Sequence, residues 1–454
     1  MNTFSRRRFL KTGSQTIAGA GLALSGNPLK ALAYGDDTTQ ASGDSYRALV
    51  CIYLEGGCDG FSLMVPTGSY ENLAFAESRG ELAVGYDQII SLNGGASPIG
   101  IHSSAAALQP LYDEGRLAMI ANIGTLIEPT TVEQYQNNAV ALPAQLFSHS
   151  DQATQWQQLQ GRGTATTGWG AKAVDYLESY HDKDYLTSIS LAGSNYWQTG
   201  ATRRPFSMTE TGATSYQGMD RYENWQQPRA EAFQRVVDLP RRHVISKAYA
   251  DLQKRAMSVT TELGLALEGN AAMFDDAPAE NPLAEKLNMV AQIIAAKDTL
   301  GLKRQIFYVT MGGFDVHDNQ SKDQPLLFAQ LADAMSYFQR KVDDLGQSEN
   351  VTTFTASDFG RSLLSNGDGT DHGWGNHLMA MGGAVNGGQI YGTLPSLDIN
   401  GADSVHRGRV LPTLSATQYA ATLLEWIGLQ ENQINEVLPT LRNFDIKNLD
   451  FLIV

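Results

Sequence analysis

Residues 48–54, Ala-Leu-Val-Cys-Ile-Tyr-Leu, are apolar without a break and stop abruptly at Glu55-Gly56-Gly57. A strand with one wet face alternates polar and apolar side chains. An unbroken run of this length is a strand covered on both faces, as in a parallel sheet between helices. A second buried strand is expected at 117–123, and further strands at 186–192, 305–310, 351–355 and, more briefly, 378–381. Helical periodicity fills the intervals, at 105–112, 151–160, 171–180, 244–267, 282–300, 324–345 and 415–427. Strands alternating with helices predict an α/β fold: a doubly wound, mostly parallel sheet flanked by helices, with right-handed crossovers. Residues 193–240 are rich in Tyr, Trp, Gln, Arg, Gly and Thr and show little periodicity. They are expected to form an insertion or cap on a single domain spanning 46–454.

The N-terminus is of another kind. Ser5-Arg6-Arg7-Arg8-Phe9-Leu10-Lys11 is a charged segment with paired arginines, followed by a mild Gly/Ala-rich apolar stretch, 17–24, and by Ala31-Leu32-Ala33. The stretch is much shorter than the roughly 20 residues that cross a bilayer. Residues 1–33 are therefore expected to be a twin-arginine signal peptide with an A-x-A cleavage site. The expected route is the twin-arginine translocase, and the destination periplasmic or secreted. Residues 34–45 form a polar, flexible lead-in. No later stretch is long and apolar enough for a membrane span.

Charge narrows the partners. The chain has 33 basic and 48 acidic residues, a net charge of −15. Removing 1–33 takes five basic residues and no acidic ones, leaving −20. Such a surface repels nucleic acid and anionic lipid on average. Two cysteines, Cys51 and Cys58, leave a disulfide open in an oxidising compartment, but supply too few thiols for a zinc knuckle.

In an open parallel sheet, ligands gather at the carboxyl ends of the strands. After the first strand comes Gly56-Gly57-Cys58-Asp59-Gly60; after 305–310 comes Gly312-Gly313-Phe314-Asp315-Val316-His317; after 351–355 comes Ser357-Asp358-Phe359-Gly360-Arg361. The last short strand is preceded by Asp371-His372-Gly373-Trp374-Gly375-Asn376-His377. Aspartates and histidines converging on one rim are the donors that a divalent cation needs. Asp315 and His317 are two apart, which in extended backbone points both side chains the same way. His102, with Ser103 and Ser104, and His149, between Ser148 and Ser150, open two further helices. Their hydroxyls are candidate nucleophiles, and Arg361 is a candidate grip for an anionic group.

Six segments together identify a family: LEGGCDGFSLMVP (54–66), GIHSSAAALQPLYDEGRLAMIANIG (100–124), LFSHSDQATQW (146–156), RQIFYVTMGGFDVHDNQ (304–320), TFTASDFGRSLLSNGDGTDHGWGNHLMAMGGAVNGGQIYG (353–392) and PTLSATQYAATLLEWIG (412–428). On these the chain resembles the twin-arginine-exported domain-of-unknown-function family 1501, itself similar to the alkaline phosphatase and sulfatase superfamily. The resemblance implies an alkaline phosphatase-like sheet with metal at the strand ends, and hydrolysis of phosphate or sulfate esters. It places Asp59, Asp315, His317, Asp358 and His372 or His377 as metal ligands. Phe359 stands where the superfamily has a histidine.

The expectation is thus an exported, metal-dependent hydrolase of a small anionic ester. Asp59, Asp315, His317, Asp358, His372 and His377 would bind a divalent metal (zinc, with calcium, magnesium and manganese as alternatives). Ser148, Ser150, His149 and Arg361 would act in catalysis. The rival is a non-catalytic binding protein for an envelope component that keeps the fold, with a structural metal or none.

Overall fold

The computed structural model describes residues 45–92, 99–162, 166–177, 180, 185–213, 225–268 and 273–453. The expected signal peptide, the lead-in up to residue 44 and the stretch 214–224 lie outside the described residues. Ser45–Val454 form one compact unit.

Seven strands carry the main sheet: β1 (Arg47–Leu54), β2 (Leu117–Gly124), β3 (Ser188–Ser190), β4 (Phe206–Thr209), β5 (Arg304–Met311), β6 (Val351–Ser357) and β7 (Asn376–Met381). Their spatial order is β2-β7-β6-β1-β5-β3-β4. Ile390–Tyr391 and Leu414–Ser415 extend it beside β2, and Gly212–Ala213 beside β4. The main helices are α1 (His149–Gln158), α2 (Trp169–Leu177), α3 (Gln227–Asp238), α4 (Val244–Glu268), α5 (Pro282–Ala295), α6 (Gln320–Asp344) and α7 (Ala416–Ile427).

The first apolar run is the central strand, and its two faces explain why it is unbroken. Ala48, Val50, Ile52 and Leu54 pack with Leu287 and Ile294 of α5 and with Leu331 and Met335 of α6. Leu49, Cys51 and Tyr53 pack with Val174 of α2 and Tyr419 of α7. Each large apolar side chain buried this way stabilises the fold by about 1.5–3 kcal/mol. A polar substitution on either face would enter a core. Cys51 and Cys58 are both buried and free, so the disulfide left open by the sequence is not formed.

β1 is parallel to both neighbours, with Leu54 level with Ser357 of β6 and Met311 of β5. Three strands therefore end together, and the turns leaving them share one rim. β7 departs from the parallel pattern and runs antiparallel to β6 and β2. Between β6 and β7 the chain makes only a small hairpin, Arg361–Ser365 with Thr370–His372. A parallel return needs a crossover to the opposite end of the sheet. This connection stays on the rim instead, so β7 must start there and run back. That keeps Asp358 and His372 on the same edge.

Two other expectations change form. The helix at 105–112 is split into a 3₁₀ segment, Ser103–Leu108, and a short helix, Gln109–Asp113. Pro110, which has no N–H, sits in the first turn of the second piece, where no partner is needed. Part of the 193–240 stretch joins the sheet as the edge strand β4, and Gln227–Asp238 is helical.

Candidate functional site

The rim at the carboxyl ends of β1, β5 and β6 gathers one carboxylate and three imidazoles. Asp315 and His317 come after β5, His372 precedes β7, and His149 opens α1. His149 Nε2 lies 3.0 Å from His372 Nε2, and His317 Nε2 lies 2.9 Å from His372 Nε2. The Asp315 carboxylate is 3.3 Å from His149 Nε2, 3.0 Å from His317 Nε2 and 3.5 Å from His372 Nε2. Ligand atoms of His149, Asp315 and His372 all lie within 4.8 Å of one another.

The outer nitrogens fix what the inner ones can do. His372 Nδ1 is 2.7 Å from the Phe147 carbonyl oxygen. A carbonyl only accepts, so the ring proton sits on Nδ1, and Nε2 carries a lone pair. His149 Nδ1 is 2.7 Å from Asp358 Oδ2, an acceptor of the same kind. His317 Nδ1 faces Asp371 at 3.6 Å. In the neutral rings, lone pairs of His149 and His372 thus point at each other across 3.0 Å. That arrangement is repulsive unless a cation or an added proton lies between them. For His149, His372 and Asp315 the donor separations, 3.0, 3.3 and 3.5 Å, bracket the edge, about 3.3–3.4 Å, of a tetrahedron with metal–nitrogen bonds of about 2.0–2.1 Å, and His317 flanks this trio. A carboxylate or carbonyl behind each ligand histidine is the usual outer support of a metal site. The residues fit a divalent cation.

Local structure explains the convergence. Gly56 has φ +109°, and a Cβ there would stand 2.4 Å from the Asp315 backbone nitrogen. Glycine lets the β1 turn close against the β5 turn. Asp315 and His317 meet by tight backbone turns, Val316 N–H to Phe314 and His317 N–H to Asp315, rather than by the extended backbone expected. Phe147 is held at φ +74°, a strained conformation for an aromatic residue. This aims its carbonyl at His372, while its ring lies under Arg409 at 3.9 Å. Phe359 stacks on His372 and packs on His149, with ring centroids 4.7 Å apart in each case. An aromatic plate therefore stands where the family resemblance places a ligand.

The electrostatics agree with these contacts. The hydrogen bond to Asp358 raises the pKa of His149, against the opposing effect of burial. Burial lowers that of His372. For Asp315 burial acts to raise the pKa, yet the Arg361 hydrogen bond and the neighbouring His149 and His317 hold it below the usual carboxylate value.

Several residues singled out in the sequence are placed differently. Asp59 is outside the cluster. It caps the short helix Gly60–Leu63 and is fully buried against Arg79 at 2.6 Å, with Ser62 and Gln320 on its other oxygen. His377 is also outside: it is buried, and its Nδ1 accepts the Asn122 N–H at 3.0 Å. Asp358 has both oxygens taken, by Tyr53 O–H, the Gly56 N–H and His149, so it braces His149 from behind. Arg361 is fully buried, and every guanidinium nitrogen is engaged, with Asp315, Gly56 and Thr370. It orients Asp315 and does not reach into solvent for an anion. Ser148 donates to Asp151 at 2.6 Å. His102 accepts the Ser104 N–H within its own turn.

Beside the cluster lies an open cleft of about 520 Å³ that shares His149 and Asp358 with it. Tyr53, Glu55, Tyr308, Asn195, Gln157 and Ser150 are among the residues lining it. Of the serines singled out in the sequence, Ser150 lines this cleft, together with the hydroxyls of Thr154, Ser194 and Thr310. The Phe147 carbonyl, Asp371 and Tyr53 were not singled out from the sequence. Asp371 adjoins His372 and could have been suspected; a backbone carbonyl leaves no sequence signal.

Residues 46–426 match the family described as protein of unknown function (DUF1501), and the chain belongs to it. No curated protein matches the sequence. Among solved structures the chain is similar to Ps i-CgsB in complex with k-i-k-neocarrahexaose, at 9% identity and TM-score 0.37, over 88% of this chain and 77% of that one. It is similar to the sulfatase PsFucS1 from Pseudoalteromonas sp. at 12% identity and TM-score 0.35, over 91% and 73%. The lipoteichoic acid synthase LtaP from Listeria monocytogenes gives 8% and 0.33, over 86% and 74%. At these identities and scores the likeness assigns no activity to this chain.

Proposed function

We propose that this DUF1501 member is an exported, metal-dependent hydrolase of phosphate or sulfate esters. The observation that carries the proposal is the inward set of three Nε2 atoms and one carboxylate, with His149 and His372 each tied from behind through Nδ1. His149, His317, His372 and Asp315 would hold the ion. Three nitrogens and a single carboxylate suit zinc better than calcium or magnesium, which favour all-oxygen sites. The ion would supply Lewis-acid polarisation of an ester oxygen and of water.

The rest is done by the protein. Tyr53 and the Gly56 N–H hold Asp358, and Asp358 holds His149 in the tautomer that frees Nε2. Arg361 holds Asp315 Oδ1, the oxygen that also faces His317 and His372, and leaves Oδ2 to His149. The cleft gives an ester access to that face, with Ser150 at its wall as the candidate hydroxyl. The paired arginines at Arg6–Arg8 and Ala31-Leu32-Ala33 support delivery to the periplasm or beyond through the twin-arginine translocase.

The test is metal content by mass spectrometry on chelator-free protein, beside an Asp315→Ala/His372→Ala variant, and then a panel of phosphate and sulfate esters. The reading expects metal and ester turnover in the parent and neither in the variant. Metal without turnover of any ester would favour the non-catalytic alternative; no metal in the parent would end the proposal.

A further inference from the structure

The acidic charge of this protein is not evenly spread. Residues 239–255, the α3–α4 connection and the first turns of α4, carry Arg241, Arg242, Lys247, Lys254 and Arg255 against the single acid Asp251. That is a local balance of +4, or +3 once the ion pair of Lys254 with Asp238 is counted, in a chain of net −15. The same segment is unusually apolar at its surface. Val244 is 80% and Ile245 73% exposed, and Leu239, Tyr249 and Leu252 are each more than half exposed. Ile245, Tyr249 and Leu252 are spaced i, i+4, i+7, so they lie on one face of the helix.

This part of α4 overhangs its neighbour. Asp238, the last residue of α3, meets Lys254 at 3.0 Å, ten residues into α4. The turns before Lys254 therefore run past the end of α3, and Ala250 is the one buried residue among 244–254. Beyond them, Val259, Leu263 and Ala266 anchor the same helix in the main core. One end is rooted and the other projects.

We propose that this overhang is a docking element for an anionic lipid surface. An exposed apolar helix face flanked by cations is the pattern that lies in a bilayer interface, with the apolar side in the acyl boundary and the cations at headgroup phosphates. The acidic body does not forbid it. Ten residues of helix reach about 15 Å, beyond the screening length of about 8–10 Å in physiological salt. Pairing of this face with the same face of a second copy would instead oppose two like-charged segments, so charge favours the lipid. No helix among the described residues is long and apolar enough to cross a membrane, so the contact is peripheral. The inference is independent of the metal site.

The experiment is co-sedimentation of the full chain with vesicles of phosphatidylcholine alone and of phosphatidylcholine mixed with phosphatidylglycerol, at low and high salt. Two variants are compared, Arg241→Gln/Arg242→Gln/Lys247→Gln and Ile245→Asp/Tyr249→Asp. Both sets are at or near the surface, so folding is expected to survive, and circular dichroism checks it. Binding is expected to the mixed vesicles only, to fall with salt, and to drop roughly tenfold or more in each variant. Absence of binding by the parent overturns the proposal. So does equal binding by parent and variants, which would point to another segment such as the basic N-terminus. A dimer in light scattering that Ile245→Asp/Tyr249→Asp dissociates would also overturn it, by giving the face to a second copy.

Discussion

Two aspartates near the same rim, Asp59 and Asp315, are each bonded to a fully buried arginine and yet serve opposite ends. Asp59 receives Arg79 at 2.6 Å on one oxygen and Ser62 and Gln320 on the other. Nothing is left over, and the group is sealed. Asp315 receives Arg361 at 2.9 Å, but its side chain is 45% exposed, and its carboxylate faces three imidazoles. The arginine neutralises Asp59 and consumes it; it steadies Asp315 and leaves it available. In the buried pair both carboxylate oxygens of Asp59 are satisfied, although Arg79 Nε lacks a partner among the described residues, whereas a binding site leaves donors pointing at a gap.

The largest effect that would test this contrast is on stability. Asp59→Ala leaves Arg79 charged and enclosed, a situation that costs about 3–5 kcal/mol. Urea denaturation should show that loss, while the fraction that remains folded keeps its metal content. If Asp59→Ala emptied the site at unchanged stability, the two aspartates would have exchanged roles.

The open site should respond the other way. His317→Ala removes a half-exposed ring, and stability should move by no more than about 0.5 kcal/mol. Metal affinity should fall by at least about 100-fold, beyond the 10–100-fold typical of outer partners. Competition with a chromogenic chelator measures the affinity directly. Asp358→Asn is the intermediate case, because the amide oxygen can still accept from His149 but without the charge. A loss of about 10–100-fold is expected. An unchanged affinity would mean that His149 needs no support from behind.

The contrast also marks what the sequence made legible. The unbroken apolar run of β1 announces a strand covered on both faces, the β-branched and aromatic residues of β5 and β6 announce two more strands, and the residues just past their ends announce the rim. Asp315, His317 and His372 could be picked out because imidazole and carboxylate at strand ends have few structural uses in common. Asp59 looks the same from the sequence, since the partners that consume it are Arg79, 20 residues away at the end of the helix Ser69–Arg79, and the still more distant Gln320. Arg361 looked like an anion grip because its targets, Thr370 and Asp315, are reached only after the 361–372 hairpin folds. Partners of this kind are set by tertiary packing, and carbonyl acceptors such as Phe147 carry no side-chain signature at all.

The last and smallest test sets one histidine against the others. His377 accepts the Asn122 N–H and rests edge-on against Phe61, and burial pushes its pKa down to about 3. In the unfolded chain the same ring takes up a proton below about 6.5. Between those values the unfolded state binds the extra proton, so stability must fall as pH falls, with the loss beginning near 6.5 and growing toward 3. At pH 5.5 the expected cost is about 1.4 kcal/mol relative to neutral pH. His377→Asn keeps an acceptor at the Nδ1 position for the Asn122 N–H and removes the titration. Parent and variant compared in urea at pH 7.5 and 5.5 should differ in their pH dependence by that amount. Equal dependence would mean that His377 is protonated where it stands, which a ring accepting a backbone N–H in an apolar enclosure cannot easily be. It would then have to be regrouped with the open cluster rather than with the sealed one.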